Sequence, residues 1–221
     1  MQYNFPMIKD MTTDLKLIKK RKKKNIIRLI YVGDYVVVKR FIKTSLFPDM
    51  RRIWRYEDQS LRRLSGLPVP KTYGYVKRKI TGGKEILYVR EFLEGKPVKR
   101  FYLEDMDLLA KLMVQIHKRG VITRDPIIEN FIRTSDNKVL FIDFGRSLLV
   151  NPKNPMLLTY IGKELSRLMC HAFFEDRQLN IRFQNVYFHH MQPNRLQRLI
   201  IEKVYGFWHR RFKSKYKHVA D

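Results

Sequence analysis

The sequence predicts an α+β chain, β-rich in its first part and helix-rich in its second. Three observations predict it. Runs of β-branched and aromatic residues bounded by turn residues crowd the stretch from 25 to 92. Apolar residues at helical spacing dominate from Glu104 onward. Between the two, Gly95-Lys96-Pro97 breaks the chain, so two lobes are expected, at 1–92 and 93–221.

Taken in order, residues 25–42 (NIIRLIYVGDYVVVKRFI) read as a hairpin around Gly33-Asp34, with the glycine expected to take a positive φ. From Asp49 to Leu64 the residues Ile53, Tyr56, Leu61 and Leu64 recur at helical intervals, and Gly66 with Pro68 ends the pattern. Thr72–Val76 and Ile86–Phe92 read as strands flanking a Thr81-Gly82-Gly83 turn. Glu104 to Lys118 is an amphipathic helix with Leu108, Leu109, Leu112, Met113 and Ile116 on one face and Gly120 placed to stop it. Lys138–Phe144 is a buried strand after an Asp136-Asn137 turn, and Tyr160–Phe174 and Arg195–Phe212 are helical.

Composition narrows the function classes. A chain of 221 residues that is 44% hydrophobic can bury a sizeable core and is too apolar to be disordered. One cysteine excludes an internal disulfide framework and a cysteine-rich zinc site, which suits a reducing compartment. No apolar run approaches the roughly 18–20 residues of a membrane span, and the first residues lack the layout of a signal peptide, so a cytoplasmic protein is expected. Its 46 Lys and Arg against 21 Asp and Glu leave a net charge of +25, which calls for an anionic partner. No zinc-finger spacing, RNA-binding aromatic signature or helix-turn-helix stands out, and no nucleic acid is expected. Charge alone sets the sign of the partner, not its identity.

The chemistry concentrates in His117–Ser147. Arg124-Asp125 is followed five positions later by Asn130, and Asp143-Phe144-Gly145 begins thirteen positions after that. Phosphoryl transfer to an alcohol needs a carboxylate to accept the hydroxyl proton, and hard oxygens to hold Mg²⁺ against the nucleotide phosphates. Asp-x4-Asn followed by Asp-Phe-Gly supplies both, in the order of the protein-kinase signature. Either piece alone is an ordinary turn sequence; together, after an apolar helix, they make one constellation. Upstream, Lys39 follows three valines on an expected strand, and Glu57 is the only Glu between Lys39 and Gly83.

At these residues the chain resembles the protein-kinase-like superfamily. More narrowly it is similar to the bacterial lipopolysaccharide core heptose and Kdo kinases of the RfaY/WaaY and WaaP type. The resemblance covers roughly residues 25–170 and is carried by VVVKRF, GLPVPKTYGY, REFLEGKPV, IHKRGVITRDPIIENF and VLFIDFGRS. It implies a compact bilobal kinase-like fold and an ATP- and Mg²⁺-dependent enzyme. Its acceptor would be a sugar hydroxyl of a lipid-linked lipopolysaccharide core, met at the inner face of the cytoplasmic membrane. By the same resemblance Asp125 would be the catalytic base, Asn130 and Asp143 would bind Mg²⁺, and Lys39 would bind the α- and β-phosphates. Glu57 would position Lys39, and Glu91, Phe92 and Leu93 would form the hinge that meets adenine.

Three positions depart from the pattern. Thr123 stands where a His usually precedes the catalytic Asp, and Ile127 stands where many protein kinases carry Lys. No glycine-rich loop precedes Lys39, and a KKRKKK turn at 19–24 is expected to supply the positive charge over nucleotide or glycolipid. An atypical RIO-like protein kinase and a catalytically weak, basic binding scaffold are the alternatives. In the tail, Phe207, Trp208 and Phe212 among basic residues suit either an anionic membrane surface or core packing. Cys170 reads as a packed small residue.

Overall fold

The computed structural model describes residues 14–23, 26–43, 52–81 and 83–216. The β-branched runs form a five-stranded antiparallel sheet: β1 (Lys16–Lys23), β2 (Ile26–Val32), β3 (Val36–Lys43), β4 (Thr72–Ile80) and β5 (Gly83–Glu91), in the order β1-β2-β3-β5-β4. The basic run is thus strand, not turn: Lys19 to Lys23 pair with Ile30 to Ile26. A lysine-rich sequence fits there because β1 is the edge of the described sheet, with Lys16, Lys19, Lys20, Arg21 and Lys22 exposed to solvent. Lys24 and Gly82 lie outside the described residues.

The β2–β3 turn closes through Gly33 N–H donating to Val36 O at 2.9 Å. Gly33 does not take the expected positive φ. Its small size matters instead, since a Cβ there would stand 3.0 Å from Leu15.

Strand alternation gives β3 two faces. One buries Val36 and Val38 against Val89. The other buries Phe41 beside Trp54, Ile86 and Tyr88, under α1 (Ile53–Arg63). The buried face of α1 is Trp54, Glu57, Asp58 and Leu61, whereas Tyr56, expected inside, is exposed. Trp54 therefore anchors the helix. Asp58 is buried too and satisfied, accepting from Arg62 Nε at 3.0 Å and from Thr72 Oγ1 at 2.7 Å.

After Glu94 the chain enters a second unit, Gly95 to the end together with Gly66–Val69. Lys96–Pro97 forms a short strand, β6, rather than a simple break; it pairs with β8 (Phe131–Arg133), which pairs in turn with β9 (Val139–Phe141). A second small pair joins β7 (Val121–Ile122) to β10 (Leu148–Leu149). Helix α2 (Asp105–Lys118) buries Met106, Leu109, Leu112, Met113 and Ile116, while Leu108 points out. Gly120 ends it with φ +69, and a Cβ there would lie 2.1 Å from Val150 O.

Three helices complete the unit: α3 (Met156–His171), α4 (Arg177–Met191) and α5 (Arg195–Tyr216). Helix α4 goes beyond the sequence reading. Its buried Leu179, Phe183, Tyr187 and Phe188 recur at helical spacing, and Asp176 caps it by accepting from Gln178 and Leu179 N–H groups. Asn194 and Gln197 form a reciprocal capping box at the start of α5. Helices α3 and α5 approach closely at Gly162, where a Cβ would lie 2.6 Å from Ile201 O.

Candidate active site

In the first unit, strand period and helix period together explain how Lys39 and Glu57 meet. Lys39 lies on the β3 face that looks toward α1, opposite Ile30 on β2 and Tyr88 on β5. Glu57 projects from the buried face of α1. The Lys39 ammonium donates to both Glu57 oxygens, at 2.6 and 2.7 Å, with the side chains 3% and 0% exposed. Arg90 Nε lies 3.4 Å from Glu57 Oε1, close enough for charge without an aligned hydrogen bond. Burial, then the neighbouring Glu57 charge, pushes the Tyr88 hydroxyl well above its ordinary value. A buried ion pair brings little net stability over an apolar pair, so its presence suits a functional use.

Glu91 ends β5, and its N–H donates to Lys71 O at 2.8 Å. The Phe92 N–H donates to Tyr35 O at 2.8 Å. Two of the three residues expected to form a hinge thus spend their backbone donors inside the first unit, and Leu93 follows them.

The second unit carries a set of its own, built by the β8–β9 hairpin and the loop before it. A single turn of 3₁₀ helix at Ile128–Asn130 leads into β8. The Asn130 amide Nδ2 donates to the backbone carbonyl of Asp125 at 2.8 Å, and Ile127 N–H donates to the same carbonyl at 2.9 Å. Across the hairpin, Ile142 N–H donates to Asn130 O at 3.0 Å, which seats Asp143 at the same end. Asp143 Oδ1 accepts from Gly145 N–H at 3.1 Å. Hydrogen bonds therefore tie Asn130 to Asp125 and to Ile142, the residue before Asp143. Phe144 is fully buried, edge-on to Phe141 at 5.0 Å, and fixes the turn beneath Asp143.

The Asp125 carboxylate is partly exposed and faces Arg146, with Nη1 3.3 Å from Oδ2. Its loop is held from behind by Glu164 on α3. That buried carboxylate accepts from the Thr123 N–H at 3.0 Å and from the Thr123 hydroxyl, and lies 3.3 Å from His117 Nε2. His117 Nδ1 in turn meets the Tyr187 hydroxyl at 2.7 Å. Thr123 is thus an anchor of the loop that carries Asp125. The sequence reading missed Glu164; its signal was a lone acid on the apolar stripe Leu157, Ile161, Leu165, Leu168.

The chemistry this set allows follows from its donors. Asn130 commits its amide nitrogen to the Asp125 carbonyl, so its side-chain oxygen is the atom that could hold a cation. That oxygen and the Asp143 carboxylate are hard donors of the type Mg²⁺ prefers, an ion that takes one or two protein oxygens plus phosphates and water. Among the described residues, one other group gathers metal-type ligands: Cys170, Glu175 and His209, with ligand atoms within 4.8 Å of one another. There His209 Nε2 lies 3.0 Å from Glu175 Oε2 and Lys213 Nζ 3.5 Å from it, so the carboxylate is already balanced. Burial and the adjacent Glu175 push the Cys170 thiol up to about 12. It is a packed thiol.

The tail aromatics resolve toward packing in part. Phe212 is buried and stacks on Trp208 at 5.5 Å, while Phe207 is exposed. No helix among the described residues is long and apolar enough to cross a membrane.

No family model matches the sequence, and no curated protein is similar to it. Among solved structures, a 2.2 Å crystal structure of WbdD is similar over 86% of this chain and 50% of that one, with TM-score 0.49 and 13% identity. A medium-resolution structure of the bifunctional kinase-methyltransferase WbdD is similar over 80% and 47%, with TM-score 0.47 and 13% identity. This chain spans about half the length of the solved chains it matches. Its chemistry has to be read from its own side chains.

Proposed function

We propose that this chain is an ATP- and Mg²⁺-dependent phosphotransferase whose acceptor is an alcohol, a sugar hydroxyl of a lipid-linked lipopolysaccharide core such as heptose or Kdo. The observation that carries the reading is the Asp125–Asn130–Asp143 set: an amide locked to the Asp125 carbonyl and a second carboxylate tied to the same hairpin end. Asp125 would orient the acceptor hydroxyl and take its proton as the new bond to phosphorus forms. Asn130 and Asp143 would hold Mg²⁺, which when bound neutralises charge on the phosphates. Lys39, held by Glu57, would meet the α- and β-phosphates, and the Leu93 N–H would face adenine. Positioning and charge stabilisation supply the rate, since transfer asks little covalent chemistry of the protein.

Arg146 offers Asp125 a cation that an incoming hydroxyl displaces or shares. The positive charge of the chain suits an acceptor presented at an anionic membrane surface, which puts the enzyme peripherally at its inner face.

The test is incubation with labelled ATP, Mg²⁺ and truncated lipopolysaccharide cores, with mass analysis of the product. One added phosphate on the core is expected, and none from an Asp125→Ala chain whose far-ultraviolet circular dichroism matches the parent. Near-parental turnover by Asp125→Ala removes the assignment. Label in protein and none in glycolipid would favour a protein kinase.

A further inference from the structure

Like charges are seldom gathered without a purpose, because each repels the others and burial adds a desolvation cost. On the second unit four cations collect around α3 and α5. Lys163 Nζ lies over the Trp208 ring, 3.7 Å from its centroid, and the Arg211 guanidinium lies 5.7 Å from the same ring. Arg167 sits over Phe212 at 5.2 Å. Arg167 also donates to the backbone carbonyl of Arg124, the residue before Asp125. Arg124 has φ 63, a left-handed conformation uncommon for a residue with a side chain.

The group is electrostatically one cluster. Burial and then the charges of Arg167, Arg124 and Arg211 lower the Lys163 ammonium below its ordinary value. His171, one turn beyond Arg167, is lowered by burial and by Arg167 and raised by Asp125, so the cluster and the Asp125 carboxylate share one neighbourhood. Among the described residues, the ion pairs of the second unit leave Arg124, Lys163 and Arg167 without a carboxylate. The stacked rings of Trp208 and Phe212 hold the cations in place from one side.

We propose that Arg124, Lys163, Arg167 and Arg211, carried on Trp208 and Phe212, form a binding site for an oxyanion of the acceptor, a phosphate ester or carboxylate near the hydroxyl to be phosphorylated. The proposal deepens the phosphotransferase reading and rests on it for the identity of the ligand as acceptor. Guanidinium forks and an ammonium are the groups that recognise such oxyanions. The acceptor class that follows is an anionic sugar rather than a neutral one.

The two tryptophans make the test local, because Trp208 lies under Lys163 and Trp54 lies in the first unit. Indole signals of the ¹⁵N-labelled full chain are followed by NMR during titration with glucose 6-phosphate, glucuronate, glucose and phosphatidylglycerol vesicles, with no nucleotide present. A saturable shift of the Trp208 signal is expected with one or both anionic sugars and none with glucose. The stronger of the two assigns phosphate or carboxylate. In Lys163→Gln/Arg211→Gln the affinity falls about tenfold or more, the loss expected for charge-assisted hydrogen bonds. Retained dispersion of the amide signals over the whole ¹⁵N spectrum shows that the variant is folded, and Lys163→Gln alone replaces it if it is not. A flat Trp208 titration, or equal affinity in the variant, overturns the proposal. So does a response to vesicles without one to either anionic sugar, which would make the cluster a membrane contact. Binding without phosphoryl transfer in the labelled-ATP assay would sink the kinase reading and keep the anion site; transfer with a flat titration would sink only the anion site.

Discussion

Lys39 and Glu57 show how one pair can be judged by what its removal does. Lys39→Met leaves a carboxylate that is 0% exposed without its ammonium, a loss of about 3 kcal/mol or more, partly offset by Arg90. Replacing both residues with apolar ones should recover most of that stability in a urea titration, while the nucleotide response stays absent. Recovery of both would mean that the pair is structural. Glu85 makes a second case at this scale. Burial works to raise its carboxyl, but hydrogen bonds from Arg78 and Arg40, and their charges, outweigh it and bring the group below its ordinary 4.5. A depressed carboxylate contributes stability that is present above about pH 4.5 and is lost as pH falls through the folded value. Glu85→Gln should therefore be less stable at neutral pH, with a shallower loss of stability below 4.5, checked by denaturation at several pH values.

Between elements the decisive residues are those that set contact distance. Gly162 lets α3 and α5 meet, and Gly162→Ala pushes a methyl into Ile201 O and Val204 Cβ, at 2.6 and 2.9 Å. Overpacking of this kind costs about 1–3 kcal/mol and should lower the denaturation midpoint accordingly. Because α3 also carries Glu164, Lys163 and Arg167, the same change should weaken transfer more than it weakens nucleotide binding. Strand β1 invites another test. Its exposed lysines guard a sheet edge, so neutralising Lys19, Lys20, Arg21 and Lys22 should promote self-association visible by light scattering. If the same change raises the Michaelis constant for ATP or acceptor, the run also serves the ligand; unchanged kinetics confine it to edge protection.

For the molecule as a whole, the proposed ligand sets the expectation. A nucleotide bound only by the folded state stabilises it, by about 2.7 kcal/mol at a hundredfold excess over Kd. On the proposed reading ATP with Mg²⁺ should raise the melting temperature, and ATP alone should raise it less, because Asn130 and Asp143 would hold the ion that offsets the phosphate charge. No response to either, with salt-sensitive binding of RNA or DNA, would turn the +25 charge into the signature of a basic scaffold.

The sequence by itself determined the fold class, most element positions, and a nomination of Lys39, Glu57, Asp125, Asn130 and Asp143. The elements depend on short-range pattern, strand alternation or helix spacing, and the nomination rests on the Asp-x4-Asn and Asp-Phe-Gly motifs and the resemblance they carry. Helix faces were legible only approximately, so Tyr56 and Leu108 were placed inside and are exposed, because residues at the border of an apolar stripe are decided by what packs opposite. Only the tertiary structure decided that Glu164 holds the loop of Asp125, across 41 residues, and that Lys163, Arg167 and Arg211 gather beside Arg124. Such contacts leave no trace in local spacing. They arise where α3 packs against the loop before Asp125 on one side and against α5 at Gly162 on the other, and both are set by packing of the whole unit.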